Sequence, residues 1–226
     1  MNSARTALSP LSTLADLATS HAGASRVFHR HRLDFCCHGR VSLEAACAEH
    51  RLDVGALINE LAAEQARDTD FRAWDDAPLG ELIAHLLGHY HQSHREELVR
   101  LHAAAAKVEH VHAAKASCPH GLAEHLARMH EELEDHMQKE EQVLFPMVAS
   151  GRGALAAMPV QVLESEHRDH ALNLQRMRKL AHDFSAPEEA CGTWRALYLG
   201  LAALERDLMQ HIHLENNVLF PRALRS

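Results

Sequence analysis

Two stretches of the chain, residues 136–146 and 211–221, repeat one skeleton: His-x3-Glu-x2-Val-Leu-Phe-Pro. Positions i and i+4 of a helix lie one above the other on the same face. His136 with Glu140, and His211 with Glu215, therefore each present an imidazole and a carboxylate in one direction. The same spacing occurs at His120/Glu124 and His130/Glu134, so spacing alone decides nothing. The apolar period separates the four cases. Leu122, Leu126, Met129, Leu133, His136, Glu140 and Leu144 step by three and four, as do Leu197, Leu201, Leu204, Leu208, His211, Glu215 and Val218. The other two pairs fall off these seams. Two copies thus put ionisable groups where core residues belong, and unpaired charge is too costly to bury. A His–Glu hydrogen bond in each copy would relieve that cost. A metal ion would relieve both pairs in one core, and this is the chemistry the pattern favours. The proline closing each phrase is expected to end its helix.

A second element accompanies each phrase. Leu87, His91, His94, Leu98 and Leu101 form one seam, and Leu163, His167, His170, Leu174 and Met177 another, each carrying His-x2-His. His91 precedes His136 by 45 residues and His167 precedes His211 by 44. The plan is two similar helical hairpins, each giving one His from its first helix and a His plus a Glu from its second. Spacing leaves open His91 or His94, and His167 or His170. Four His and two carboxylates are too many for one tetrahedral zinc. Two octahedral metals sharing bridging carboxylates fit better, with iron and manganese not separated by ligand type.

The elements that carry these residues follow from composition and punctuation. In 226 residues, 46% are hydrophobic but only 4% aromatic, with just 10 Gly and 7 Pro, which favours an all-α chain. The net charge of −8 argues against an electrostatic nucleic-acid surface. Five Cys, two of them adjacent, do not form a disulfide framework. No secretory signal and no apolar run of membrane-spanning length is evident, so a cytoplasmic protein without a membrane partner is expected. Residues 1–66 read as a small helical domain. Ser12 or Thr13, Ser42 and Asp53 are its helix caps, and a tight loop holds Cys36-Cys37. Residues 67–77, with Asp68, Asp70, Asp75 and Asp76, read as a linker that permits relative motion. Residues 78–226 read as four long helices, about 78–110, 119–148, 158–184 and 187–221. Their short connections give an up-down-up-down bundle.

Asp34-Phe-Cys-Cys-His-Gly39, Tyr90-His-Gln-Ser-His-Arg-Glu96, His130-Glu-Glu-Leu-Glu-Asp-His136, Glu164-Ser-Glu-His167 and His211-Ile-His-Leu-Glu-Asn-Asn-Val-Leu-Phe-Pro221 together resemble the repair-of-iron-centres family. These are hemerythrin-like di-iron proteins that mend iron–sulphur clusters after nitrosative or oxidative damage. The resemblance spans about residue 11 to the end. It implies a hemerythrin-like bundle holding two non-haem, carboxylate-bridged iron ions. The implied ligands are His91, His136, Glu140, His167, His211 and Glu215, with Glu140 and Glu215 as bridges. It thereby chooses His91 over His94 and His167 over His170. All six lie in residues 78–226, so the bundle alone is expected to bind the iron.

Cys36 and Cys37 are expected to act as exposed thiols in transfer or redox, with Arg32, His38 and Arg40 favouring the thiolate. His38 departs from the usual motif, where a Gly is frequent. His94, His170 and His213 leave room for a further ligand or a ligand's partner. Glu132 and Glu166 are expected to line an access path or orient a ligand. The implied partners are damaged iron–sulphur proteins, with nitric oxide or oxygen as small-molecule ligand, and the sequence allows a homodimer. Gas binding alone, or reduction of nitric oxide, are the competing activities; the second needs an electron donor that the sequence does not name. A His-rich bundle without metal is the plainest alternative.

Overall fold

The computed structural model describes residues 7–67 and 71–226, so Asp68 and Asp70 of the acidic linker lie outside the described residues. The described chain is helical, apart from one isolated extended pairing of Thr13 with Ser42. It divides into two compact units, Met1–Leu82 with Met209–Ser226, and Ile83–Leu208.

The first unit opens with four short helices: α1 (Leu14–Ser20), α2 (Ala24–Arg30), α3 (Leu43–His50) and α4 (Val54–Gln65). Thr13, Ser42 and Asp53 cap α1, α3 and α4, each accepting a backbone N–H three residues on. Such a cap is worth about 1 kcal/mol. Gly23 turns the chain between α1 and α2 at φ 75°, where a Cβ would also strike Glu64. Leu14, Leu17, Val27, Phe28, Leu33, Phe35, Leu43, Leu57 and Leu61 form the apolar core. Gly39 closes the cysteine loop; a Cβ there would lie 2.3 Å from the Phe35 carbonyl oxygen. Part of the expected linker is anchored in this unit. Trp74 is buried beneath the Arg72 guanidinium, and Arg222 donates hydrogen bonds to the carbonyls of Trp74 and Ala77.

The second unit is a four-helix bundle. Its first helix enters from α5 (Leu79–His85), passes a π-turn, π1 (Leu86–His91), and continues as α6 (Gln92–His112). Then come α7 (Leu122–Lys139), the turn π2 (Glu140–Leu144), α8 (Phe145–Ala149), α9 (Ala157–Leu180) and the first part of α10 (Gly192–Leu214). Contacts run in opposite sense along neighbours. Arg95 meets Glu134 while Glu109 meets Ala123, and His136 meets His167 while His125 meets Asn173. The predicted seams are the core: Leu98, Leu101, Leu122, Leu126, Leu133, Leu163, Leu174, Leu197, Leu201 and Leu204 are all buried.

Three sequence expectations are corrected. Pro146 and Pro221 do not end their helices but sit in the first turn of α8 and of α11 (Phe220–Ala223). Each follows a π-turn, π2 or π3 (Glu215–Leu219), and the wider turn shifts the carbonyls that the pyrrolidine ring would strike in an unbroken α-helix. The third long helix stops at Leu180 rather than 184. His182, Asp183 and Phe184 have positive φ, a left-handed turn held by Arg178, which pairs with Asp183 and lies over the Phe184 ring. The fourth begins at Gly192 rather than 187.

Candidate metal centre

In the bundle unit, His91 closes π1, His136 lies in the last turn of α7, Glu140 opens π2 and His167 lies in α9; all four are buried. Glu140 is 0% exposed, and neither of its oxygens receives a hydrogen bond among the described residues. His91 Nε2 lies 3.4 Å from it and His136 Nε2 3.6 Å. His136 Nε2 and His167 Nε2 are 3.0 Å apart. One ligand atom each from His136, Glu140 and His167 falls within 4.8 Å of the others.

Outer carboxylates fix which nitrogen of each ring faces this cluster. His91 donates from Nδ1 to Glu141 (2.8 Å), and His136 donates from Nδ1 to Glu166 (2.9 Å). Each acceptor is matched by a cation. Arg95 reaches Glu141 at 3.0 Å and also holds Glu134, and Lys139 pairs with Glu166. The His136 hydrogen bond, aided by Lys139 and opposed by burial, holds the Glu166 carboxyl down to about 2. With the proton on Nδ1, the basic nitrogen of His91 and of His136 is Nε2, directed at Glu140. Basic imidazole nitrogens and a carboxylate at this separation repel unless a cation lies among them. Three imidazoles and an unbonded buried carboxylate therefore fit a metal of the iron type.

His91 and His167, rather than His94 and His170, belong to these close groups. His94 and His170 are buried beside them, the His170 ring standing edge-on to His136 at 4.9 Å. Burial pushes the His170 imidazole down to about 3. His120 and Glu124 are exposed, as their place off the seam requires, and Glu134 is committed to Arg95. A cleft of about 400 Å³ is lined by Glu132, Asp135, Lys139, Glu166, Asp169 and His170 among others. Both expected outer carboxylates thus lie at one surface opening, but they differ in bonding. Glu166 accepts from a candidate ligand, whereas Glu132 accepts from Asn173. Glu141 escaped the sequence reading because it falls one position off the seam; the signal was the Glu-Glu pair opening π2.

In the other unit, His211 and Glu215 are both buried, with His211 Nε2 3.0 Å from Glu215 Oε1, one turn apart across the start of π3. The cysteine loop packs against this same segment. Asn216 donates to the Cys36 carbonyl (3.1 Å), and Asn217 to those of Phe35 (3.3 Å) and Cys36 (3.2 Å). The thiols are not the exposed pair expected. Cys36 is 3% exposed and Cys37 half-buried, with their sulfurs 3.7 Å apart, too far for a bond. The Cys36 thiol is pushed well up, first by its hydrogen bond with Cys37, then by burial and by Asp34. Arg32, His38 and Arg40 do not offset this: His38 spends its ring on Asp34 at 2.7 Å. Burial opposes the charge on Asp34, but hydrogen bonds from His38 and the Cys37 N–H outweigh it and hold the carboxyl below its usual range. Asp34, Cys36 and Cys37 offer ligand atoms within 4.8 Å of one another.

The model for the hemerythrin HHE cation binding domain matches residues 82–223, which contain every histidine and glutamate of these clusters. The chain belongs to the hemerythrin HHE family. A second model, for an ScdA N-terminal domain described as of unknown function, matches residues 11–65. Among relatives of this HHE protein, one from Pectobacterium carotovorum is 46% identical over 213 residues, 94% of this chain and 96% of that protein. One from Citrobacter koseri is 48% identical, covering 93% and 96%, and one from Escherichia coli O1:K1 / APEC is 47% identical with the same coverage. All three are named iron-sulfur cluster repair protein YtfE. The hemerythrin-like domain binds iron. No helix among the described residues is long and apolar enough to cross a membrane.

Proposed function

We propose that this protein repairs damaged iron–sulphur clusters, using iron held by His91, His136, Glu140, His167, His211 and Glu215. The observation that carries this reading is Glu140, a buried carboxylate without a hydrogen bond among the described residues, facing the Nε2 atoms of His91 and His136. The repeated phrase argues that Glu215 does for its half what Glu140 does for the other. These six side chains would suit two iron ions rather than one. Bound ferrous iron would supply labile metal for transfer and open coordination positions for nitric oxide or oxygen. The protein's own part is orientation. Glu141 and Glu166 hold His91 and His136 in the Nδ1–H tautomer, while Arg95 and Lys139 pair with those carboxylates. The cleft lined by Glu132, Glu166 and His170 would bring a small molecule toward His136, whose Nδ1 is held by Glu166.

Cys36 and Cys37, with Asp34, offer a soft thiol site at which iron is held in passage to a client protein. Iron analysis with Mössbauer spectroscopy of anaerobically purified protein tests the centre: two irons per chain are expected, and none would leave a metal-free His-rich bundle. A Cys36→Ala/Cys37→Ala variant is expected to keep both irons yet lose reactivation of a nitric-oxide-damaged iron–sulphur enzyme. Full reactivation would leave the pair a packing role. Nitrous oxide release in a single turnover would instead favour nitric oxide reduction, and tight gas binding without repair a scavenger.

A further inference from the structure

His213 is fully buried two residues from each of His211 and Glu215, and its imidazole is bonded at both nitrogens: Nε2 to Thr19 Oγ1 at 3.3 Å, Nδ1 to Asn217 Nδ2 at 3.1 Å. The Thr19 and Asn217 contacts point to one direction for each of these bonds, and the Phe35 carbonyl also reaches the ring. Asn217 presents the same amide atom to His213 Nδ1 and to the carbonyl oxygens of Phe35 and Cys36. Carbonyl oxygens only accept, so that atom must be the NH2 group; the amide oxygen there would face two other oxygens. His213 Nδ1 must then be the accepting nitrogen, and Nε2 carries the proton. Thr19 completes the chain: its own hydroxyl hydrogen goes to the Ala15 carbonyl at 2.9 Å, so its oxygen accepts from Nε2. Both ring nitrogens are thereby committed, which takes His213 out of the metal-ligand set that its place beside His211 suggested.

We propose that His213 is a positioning residue: through Asn217 it locks the Cys36–Cys37 loop onto the segment that carries Glu215. This rests on the reading of the cysteine pair above only for its consequence in repair. The lock itself is a matter of geometry: the α1 hydroxyl orients the imidazole, the imidazole orients the amide, and the amide holds the loop backbone at Phe35 and Cys36. The Phe35 ring lies edge-on to His213 at 5.5 Å.

The test is site-resolved alkylation by iodoacetamide in the full-length protein, read by mass spectrometry at Cys36 and at Cys47. Cys47 is buried in the same unit. It therefore reports general loosening rather than release of the loop. Losing a bond or two of ordinary strength raises the open population about tenfold. His213→Leu and Asn217→Asp are therefore expected to speed Cys36 alkylation about tenfold relative to Cys47. His213→Gln, whose amide can still accept from Asn217, is expected to restore most of the protection. Should His213→Leu fail to fold, Thr19→Val removes only the outermost bond and is expected to give a smaller increase of the same kind. An unchanged Cys36/Cys47 ratio in Asn217→Asp and Thr19→Val overturns the lock. Equal acceleration at both cysteines makes His213 a packing residue and overturns the lock. None of these readouts depends on repair, so the lock and the proposed function fail separately.

Discussion

Imidazole orientation is where single residues matter most in this protein. A histidine that must bind through Nε2 needs its other nitrogen protonated and occupied, and Glu141 and Glu166 do this for His91 and His136. Removing such an outer partner costs about 10–100-fold in metal affinity. Glu141→Leu and Glu166→Leu are each expected to lose iron to a chelator more readily by that factor. Glu132→Leu, whose carboxylate is bonded to Asn173 instead, is expected to hold iron like the native protein. Competition with a coloured ferrous chelator distinguishes them, and equal retention in all three would mean that ring orientation is set by packing alone. The seams made His136, Glu140, His211 and Glu215 legible as candidates, but they left His91 or His94 and His167 or His170 open, and only the family resemblance chose between them. The outer carboxylates were less legible. Hydrogen bonding to a ligand from an adjacent helix leaves no periodic trace, and Glu141 is recognisable only once π2 is known.

Each helix was readable wherever 3.6-residue periodicity runs unbroken, and misread where the backbone departs from it. The π-turns are the main case. One extra residue per turn leaves composition and seam almost unaltered, so sequence spacing alone does not reveal it. The turns nevertheless position function: π1 ends on His91, π2 begins on Glu140 and π3 begins on Glu215. In π2 the Phe145 N–H reaches back five residues to the Glu140 carbonyl, and Pro146 follows without a clash. Deleting Gln142 should convert π2 to an α-turn, removing the wide turn that opens on Glu140 while leaving the following helix nearly in phase. The expected outcome is near-native helicity by circular dichroism with a large loss of bound iron. Full iron content in that deletion would show that Glu140 is held from elsewhere. The left-handed turn at 182–184 was hidden for another reason: Asp183 and Phe184 carry no glycine signal, and only the Arg178 side chain explains why they adopt positive φ.

Across each whole unit, burial of neutral histidines sets an acid limit. His125 is buried and donates to the Asn173 carbonyl at 2.9 Å. Burial, the largest influence, lowers its pKa, as do Arg176 and Arg128, against the Asn173 carbonyl and Glu132. The folded state therefore binds this proton less readily than the unfolded chain. Its stabilising contribution is complete above the unfolded value of about 6.5 and is lost as pH falls below it. Urea midpoints measured from pH 7.5 down to pH 5 are expected to fall more steeply in the native protein than in His125→Gln. Parallel profiles would assign the acid sensitivity to other groups.

The unit made of Met1–Leu82 and Met209–Ser226 bears on whether the bundle residues suffice for iron. The ligand phrase at 211–221 is not merely the end of a long helix. Thr19 holds His213, the carbonyls of Phe35 and Cys36 hold Asn216 and Asn217, and the Trp74 and Ala77 carbonyls hold Arg222. A chain beginning at residue 71 keeps all six candidate ligands but strips the partners of His213, Asn216 and Asn217. Buried polar groups left without partners cost about 1–3 kcal/mol each. That is enough to fray π3 and move Glu215. The fragment is therefore expected to keep helical structure but bind well under the iron of the full-length protein after dialysis against a weak chelator. Adding back a separately made 1–70 segment is expected to recover part of it. Iron content equal to the full-length chain would show that π3 keeps its geometry unaided, and the small N-terminal helices would then serve the cysteine loop alone.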